Sequence, residues 1–181
     1  MIPEALKDGY SRFRDDRFLT EEARYRDLAG GQTPATMVIA CADSRVDPAT
    51  IFAAAPGELF VVRNVAALVP PCETSSGYHG TSAALEFAVT GITVRDIVVM
   101  GHGLCGGVEA SLAAAENKPA GRFIGPWVEL LAGVRDDVLG DEHIVGAAER
   151  QRALEWMGVL YSIGNLRTFP FIRDAEQAGR L

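Results

Sequence analysis

Three short apolar runs, separated by segments of helical composition, constrain the fold of this chain more than any other feature. Residues 35–40 (ATMVIA), 59–62 (LFVV) and 97–100 (IVVM) are continuously apolar, as expected for strands that a parallel sheet buries on both faces. Residues 48–55 and 81–89 lie between them and have the composition of helices. This alternation predicts an α/β fold with a mainly parallel central sheet of about four strands, flanked by helices.

Helices are also predicted before and after these runs. Residues 4–29 are charged with scattered aromatic side chains, which is typical of a helical arm that packs through a few large groups. Residues 108–116, 123–139 and 141–163 have helical periodicity. Because no internal repeat or linker interrupts the 181 residues, we expect a single domain over residues 1–181, with residues 1–29 as its N-terminal arm.

The charge balance of the chain excludes several classes of function. The chain has 17 Lys and Arg against 24 Asp and Glu, a net charge of −7, so it lacks the basic surface that nucleic acids and anionic lipids require. No apolar run reaches the about 18 residues that span a bilayer. Residues 1–26 are charged and lack a secretory signal pattern, which predicts a cytoplasmic protein. In that reducing compartment the three cysteines are expected to serve metal binding, catalysis or burial.

Two of these cysteines directly follow predicted strands, and a histidine accompanies one of them. Cys41 ends the first apolar run, and His102 and Cys105 follow the third in a glycine-rich segment. Because ligands of parallel sheets bind at the carboxyl ends of the strands, the three side chains can converge there. Two thiolates and one imidazole favour zinc, and three protein ligands are typical of an open catalytic zinc site. Each residue taken alone is more often structural, so only the combination indicates a metal site.

A charged pair accompanies the first of these ligands. Asp43 and Arg45 lie two and four residues after Cys41, and alternate residues of an extended segment point in the same direction. Charged residues that directly follow a buried strand are seldom incidental. We therefore expect Asp43 and Arg45 to face the same site as Cys41.

These motifs together resemble those of the β-class carbonic anhydrases. The similar segments are residues 41–46 (CADSRV), 61–66 (VVRNVA), 70–71 (PP), 78–89 (YHGTSAALEFAV), 101–107 (GHGLCGG) and 165–171 (NLRTFPF). The resemblance extends over nearly the whole chain. It implies a zinc enzyme that interconverts carbon dioxide and bicarbonate, with Cys41, His102 and Cys105 as zinc ligands and a zinc-bound hydroxide as the nucleophile.

The resemblance also implies roles for further residues. Arg45 would hold Asp43 through charge-assisted hydrogen bonds, and Asp43 would accept a hydrogen bond from the zinc-bound hydroxide. Gln32 matches a glutamine that donates a hydrogen bond to the substrate. Four residues match the lining of the small carbon dioxide pocket: Phe60, Val65, Phe87 and Gly106. Three further residues match no site role in the family: Cys72, His79 and His143. The two histidines stay open as proton relays.

The sequence departs from the family pattern at a few points. Phe87 stands where many relatives have tyrosine, and Gly103 stands where serine is common. The chain stops at Leu181, where relatives continue into another edge strand, so a C-terminal edge element is expected to be absent. Enzymes of this class usually pair through their N-terminal helices, and these dimers often pair again, which predicts a homodimer or homotetramer.

Two other functions stay open at this level. The same zinc core could hydrolyse carbon disulfide or carbonyl sulfide, because relatives of this fold do so when access to the pocket is narrowed. The chain could also be a catalytically silent module that binds zinc or bicarbonate. The intact Asp43 and Arg45 argue against a silent module, whereas the short C-terminus keeps it open.

Overall fold

The computed structural model describes residues 1–75, 77–118 and 120–181 and contains a parallel β-sheet with the strand order β2-β1-β3. The strands are β1 (Thr36–Cys41), β2 (Leu59–Asn64) and β3 (Asp96–Met100). They coincide with the three apolar runs, which confirms the predicted α/β class with a parallel sheet. The predicted count of about four strands is wrong for the described residues, because every segment after β3 that could have supplied a fourth strand is helical.

The middle strand is buried, and the two outer strands are more exposed. All residues of β1 except the first are buried, while β2 and β3 consist of half-buried and exposed residues. The parallel register places Cys41 beside Asn64 and Ala40 beside Met100. The carboxyl ends of the three strands therefore lie side by side, with Cys41 at the centre of that edge.

The chain divides into two compact units, Met1–Thr33 and Pro34–Leu181. In the first unit, helices occupy most of the region predicted as an arm: α1 (Glu4–Arg12), a π-helical turn (Phe13–Arg17), α2 (Phe18–Thr20) and α3 (Glu22–Leu28). Four aromatic rings pack together within this unit, with centroids 5.2 to 6.3 Å apart: Tyr10, Phe13, Phe18 and Tyr25. These ring contacts hold the short helices of the first unit together.

The second unit adds seven helices to the sheet among the described residues. They are α4 (Pro48–Ile51), α5 (Gly80–Glu86), which continues as a π-helical turn (Phe87–Ile92), α6 (Gly106–Ala115), α7 (Ile124–Val128), α8 (Ala132–Gly140) after a 3-10 turn (Glu129–Leu131), α9 (Ala147–Leu166) and α10 (Pro170–Gln177). Asp47 caps the N-terminus of α4, since its Oδ1 accepts a hydrogen bond from the Thr50 amide at 2.9 Å. The predicted helix from residue 141 begins only at Ala147, because Gly146 has a φ of 97° that no right-handed helix accommodates.

Buried side chains of the second unit form two apolar clusters. The first cluster joins β1 to α5 and α10, with Met37, Leu85 and Ile172 among its members. The second cluster contains Cys41 and Cys105 together with residues of α6, α8 and α9. The two cysteines expected to bind metal are thus at the edge of an apolar core. Within the described ranges, no helix is both long enough and apolar enough to cross a membrane.

Candidate metal centre

Three potential metal ligands converge at the carboxyl edge of the sheet. Cys41 is the last residue of β1, and the segment after β3 carries His102 and Cys105. The ligand atoms of all three residues lie within 4.8 Å of one another, and the two sulfurs are 3.8 Å apart. Both cysteines are buried, with 5% and 3% exposure, and His102 is partly buried. The structure therefore brings together the three residues predicted as ligands.

The distances between these atoms fit a tetrahedral zinc ion. Two zinc–sulfur bonds of about 2.3 Å at a tetrahedral angle place their sulfurs about 3.8 Å apart, which matches the separation of the Cys41 and Cys105 sulfurs. Nδ1 of His102 lies 2.9 Å from the Gly103 carbonyl oxygen. Because a carbonyl only accepts, Nδ1 carries the proton, and Nε2 is left with a free lone pair.

The other ring nitrogen of His102 is available to a metal. Nε2 is buried and has no hydrogen-bond partner among the residues that the structure describes. A buried polar atom without a partner is costly, and such atoms are few in folded proteins. A metal at the centre of the cluster would satisfy this nitrogen, so the residues present fit a zinc ion.

The two thiols of the cluster differ in acidity. The hydrogen bond from the Cys105 thiol lowers the pKa of Cys41 to about 4, against an opposing effect of burial. Backbone amides of Asp43 and Ala66 add to this lowering, and the Asp43 nitrogen lies 3.4 Å from the Cys41 sulfur. The same hydrogen bond, together with burial, raises the pKa of Cys105. Without metal, the two sulfurs are therefore expected to share one proton, with Cys41 as the more acidic of the pair.

Asp43 and Arg45 form a two-pronged ion pair beside the cluster. Arg45 Nε donates to Asp43 Oδ1 at 2.9 Å, and Nη2 donates to Oδ2 at 2.7 Å. The Arg45 side chain, more than any other group, holds the pKa of the Asp43 carboxyl well below its usual range, and Asp43 in turn raises the pKa of Arg45. Arg45 Nη2 also donates to the Leu104 carbonyl at 2.9 Å, so the pair bridges the two segments that carry the ligands.

Arg63 at the end of β2 fixes the segment that follows β1. Its Nε donates to the Cys41 carbonyl at 2.8 Å, and its Nη2 donates to the Asp43 carbonyl at 2.6 Å. Its Nη1 also pairs with Asp47 at 3.2 Å. Arg63 thus holds the backbone on both sides of Ala42 and keeps Cys41 and Asp43 in place.

Sequence comparisons assign the chain to a family. A model of the carbonic anhydrase family matches residues 36–181. Beta carbonic anhydrase 3 of Arabidopsis thaliana is 34% identical over 180 residues, which make up 98% of this chain and 69% of that protein. The chain belongs to the β-class carbonic anhydrases.

Further members of the β-class carbonic anhydrases support the assignment over most of the chain. Beta carbonic anhydrase 5, chloroplastic, of Arabidopsis thaliana is 33% identical over 176 residues, which cover 97% of this chain and 58% of that relative. Among solved structures, one from a study of two tetrameric β-carbonic anhydrases of the filamentous ascomycete Sordaria macrospora superposes with a TM-score of 0.83 at 30% identity. That match covers 96% of this chain and 84% of the other.

Two of the predicted pocket residues of this β-carbonic anhydrase lie close to the ligands. Val65 opens the 3-10 turn after β2, and a Cβ placed on Gly107 would lie 2.6 Å from its Cγ1. The start of α6 therefore contacts this turn. Gly106 directly follows Cys105, and a Cβ there would meet no described atom within 4 Å. The exposed face of Gly106 is therefore open.

Within the second unit, the structure does not bring Phe60 and Phe87 to the metal ligands of the same chain. Phe60 pairs with Met37 in the parallel register, four residues before the pair of Asn64 and Cys41. Phe60 and Cys41 are therefore separated by roughly 13 Å along the strand direction. Phe87 packs against Phe60, with ring centroids 5.9 Å apart, and is 53% exposed. Gln32 is exposed and belongs to the first compact unit. Substrate binding by these residues stays a prediction.

Residues without a predicted role lie outside the ligand cluster. The described group of potential metal ligands consists of Cys41, His102 and Cys105. Cys72 packs against the first apolar cluster, and His143 is exposed. Cys72 is therefore not one of the grouped ligands, and a proton-relay role for His143 stays a prediction.

The sequence analysis missed three residues that contact the site. Ala66 has a φ of 65°, and its amide contributes to lowering the pKa of Cys41. Trp127 Nε1 donates to the Val65 carbonyl at 2.8 Å. Glu155 Oε1 accepts a hydrogen bond from the Cys105 amide at 2.9 Å. None of the three stands near a ligand in sequence, and no local motif signals the left-handed backbone of Ala66.

Proposed function

We propose that this protein catalyses the reversible hydration of carbon dioxide to bicarbonate and a proton, with one zinc ion held by Cys41, His102 and Cys105. The observation that carries the proposal is the ligand triad, in which the free His102 Nε2 and the 3.8 Å sulfur separation fit zinc. The Asp43–Arg45 pair lies directly beside the triad. Membership of the family supports the same reaction.

Three protein ligands leave a fourth position on zinc for the reaction. Zinc in such a site lowers the pKa of a bound water toward neutrality and so supplies a nucleophile for the carbon of carbon dioxide. Asp43 has the acceptor oxygens to orient that nucleophile, and its lowered pKa keeps it ionised even at acidic pH. Arg45 donates to both carboxylate oxygens and so competes with the metal for Asp43, which can still accept a hydrogen bond through its remaining lone pairs.

The open space at Gly106 and the apolar side chain of Val65 provide a binding surface suited to a small, uncharged substrate. Phe60 and Phe87 would complete this pocket only from a second copy of the chain, because the register separates them from the ligands of their own chain. Gln32 would donate its amide hydrogen to a substrate oxygen. A homodimer or homotetramer is therefore part of the proposal, and the Sordaria macrospora relatives are described as tetrameric.

The proposed location is the cytoplasm, on the basis of the charged N-terminal residues. Cell fractionation with an antibody against the chain would test it, and recovery of the protein in a membrane or organelle fraction would contradict it. Light scattering would test the assembly. An active monomer at micromolar concentration would contradict the shared pocket.

Stopped-flow measurement of carbon dioxide hydration tests the proposed reaction. The protein is first analysed for metal, so that the rate can be expressed per bound zinc. We expect hydration above the uncatalysed rate, rising with pH as the zinc-bound water ionises near pH ~7 or above. Zinc-replete protein without hydration activity would contradict the proposed function. Such a protein would instead be tested with carbon disulfide and carbonyl sulfide.

A further inference from the structure

Glu155 of α9 contacts the backbone of a metal ligand that lies fifty residues away in sequence. Its Oε1 accepts a hydrogen bond from the Cys105 amide at 2.9 Å and a second one from Gln151 Nε2 at 3.1 Å. Gln151 is one helical turn before Glu155 on the same helix, so it fixes the carboxylate from its own side. The Glu155 carboxylate is therefore held by Gln151 on one side and by the Cys105 amide on the other.

Among the residues that the structure describes, Glu155 is the acceptor on which the Cys105 amide depends. Cys105 is 3% exposed and stands immediately before the first residue of α6, where amides have no partner within the helix. Leaving a buried amide without an acceptor is unfavourable. The hydrogen bond to Glu155 removes this free-energy cost, but it forms only when Cys105 is in the position seen in the structure.

The same helix also fixes the other end of the ligand segment. A Cβ placed on Gly101 would lie 2.5 Å from Val159 Cγ2, so the backbone there is in direct contact with α9. Val159 is one turn after Glu155 and therefore on the same face of the helix. Between these two contacts, Leu104 has a left-handed φ of 55°, a backbone state that costs free energy unless its surroundings hold it. One face of α9 thus sets the shape of the segment from Gly101 to Cys105.

We propose that Glu155 is a positioning residue for the metal centre: by accepting the Cys105 amide hydrogen, it holds the Cys105 sulfur at its distance from Cys41 and His102. This inference rests on the proposed zinc site. Groups that orient metal ligands contribute to metal affinity without touching the metal, and their loss typically costs about 10- to 100-fold in affinity. Glu155 meets that description through one defined hydrogen bond.

The test compares three forms of the full-length protein in zinc competition with a chelator. Glu155→Ala removes the acceptor, and we expect zinc affinity to fall about 10- to 100-fold. Glu155→Gln keeps an acceptor oxygen and should recover most of that loss. The matched control is Glu149→Ala, because Glu149 is also on α9 and also accepts a backbone amide hydrogen, from Val145 at 3.2 Å. Zinc affinity in this control should equal that of the native chain.

Cobalt substitution gives a second readout that a general loss of stability would not produce. The sulfur-to-cobalt charge-transfer band reports the geometry of the two sulfurs, and we expect it to shift in Glu155→Ala but not in Glu149→Ala. Native zinc affinity and an unchanged band in a folded Glu155→Ala protein would overturn the inference. If Glu155→Ala does not fold, the same criteria apply to Glu155→Asp, whose carboxylate is one methylene further from the Cys105 amide.

The native chain separates this inference from the proposed function. If native protein binds zinc and hydrates carbon dioxide but Glu155→Ala matches it in both metal readouts, only the role of Glu155 is wrong. If native protein binds no zinc, the proposed function is wrong, and the comparison among variants supports no role for Glu155.

Discussion

The ligand segment after β1 is held by charged side chains from its own loop and the neighbouring strand, whereas the segment after β3 is held by a distant helix. After β1, Arg45 closes on Asp43 two residues away, and Arg63 of β2 holds the carbonyls of Cys41 and Asp43. Charge-assisted hydrogen bonds of this kind are short and directional. The first segment is therefore fixed mainly by ionic contacts.

The segment after β3 is fixed by contacts with a helix rather than by side chains of its own. It contains two glycines and one left-handed residue, and α9 holds it through Val159 at Gly101 and Glu155 at Cys105. The two segments meet where Arg45 donates to the Leu104 carbonyl. The comparison indicates that the position of Cys41 depends on nearby charged side chains, whereas the positions of His102 and Cys105 depend on the packing of α9.

The largest effect is expected from removing a ligand at either strand end. Cys105→Ser and Cys41→Ser should both lose most of the bound zinc and all measurable hydration, because a hydroxyl is a much poorer ligand for zinc than a thiolate. Metal analysis after dialysis measures this loss. Cys72→Ser is the matched control, since Cys72 lies outside the cluster. Retention of native zinc content by either ligand variant would remove that residue from the site.

The next largest effect is expected from breaking the Asp43–Arg45 pair, which should lower activity without removing the metal. Arg45→Ala should lower hydration by about 100-fold or more while zinc is retained, because the freed Asp43 carboxylate can then bind the open metal position. Stopped-flow rates per bound zinc measure it. The matched control is Arg167→Ala, which removes an exposed arginine paired with Glu176. Near-native hydration in Arg45→Ala would show that the pair is only structural.

A smaller effect tests the packing of the segment after β3. Gly101→Ala should destabilise the protein by about 1 to 3 kcal/mol, the usual range for an overpacked position, because the new Cβ meets Val159. Gly133→Ala in α8 meets no described atom within 4 Å and should stabilise the protein slightly. Chemical denaturation of both variants measures the difference. Equal stability would mean that α9 does not contact the loop closely.

The smallest effect concerns which segment carries the negative charge without metal. With a folded pKa of about 4, Cys41 should be ionised at pH 7, while Cys105 with its raised pKa should stay protonated. The stabilisation from Cys41 is complete above the ordinary thiol pKa near ~8.5 and is lost as pH falls through about 4. The stabilisation of the folded protein from Cys105 is complete below pH ~8.5 and is lost as the pH rises toward the raised pKa of this thiol.

Thiolate absorbance of metal-free Cys72→Ser protein tests this assignment. We expect one thiolate per chain at pH 7 and its disappearance when Cys41→Ser is added. Two protonated thiols at pH 7 would contradict the proposed sharing of one proton between the cysteines.

The difference between the two segments also explains what could be predicted from the sequence. The strands were evident because β1 is continuously apolar, and the ligands were evident because Cys41 and the pair His102 and Cys105 directly follow strands. Asp43 and Arg45 were found because they are local to Cys41. Glu155 could not be found, since its contact with Cys105 exists only after α9 has packed against the sheet.

Other differences have equally physical causes. The late start of α9 depends on the positive φ of Gly146, which a periodic pattern does not reveal. A fourth strand was expected from the general form of such sheets, but no further described segment pairs with β2 or β3. Long-range pairing of this kind is decided by the whole fold rather than by a local run of residues.

X-ray absorption on metal-replete protein tests the central claim most directly, because it counts the sulfur and nitrogen ligands of the metal. The account predicts two sulfurs near ~2.3 Å and one histidine nitrogen near ~2.0 to 2.1 Å, with about one zinc per chain. A coordination sphere that contains only nitrogen and oxygen would contradict the assignment of Cys41, His102 and Cys105 as the metal centre.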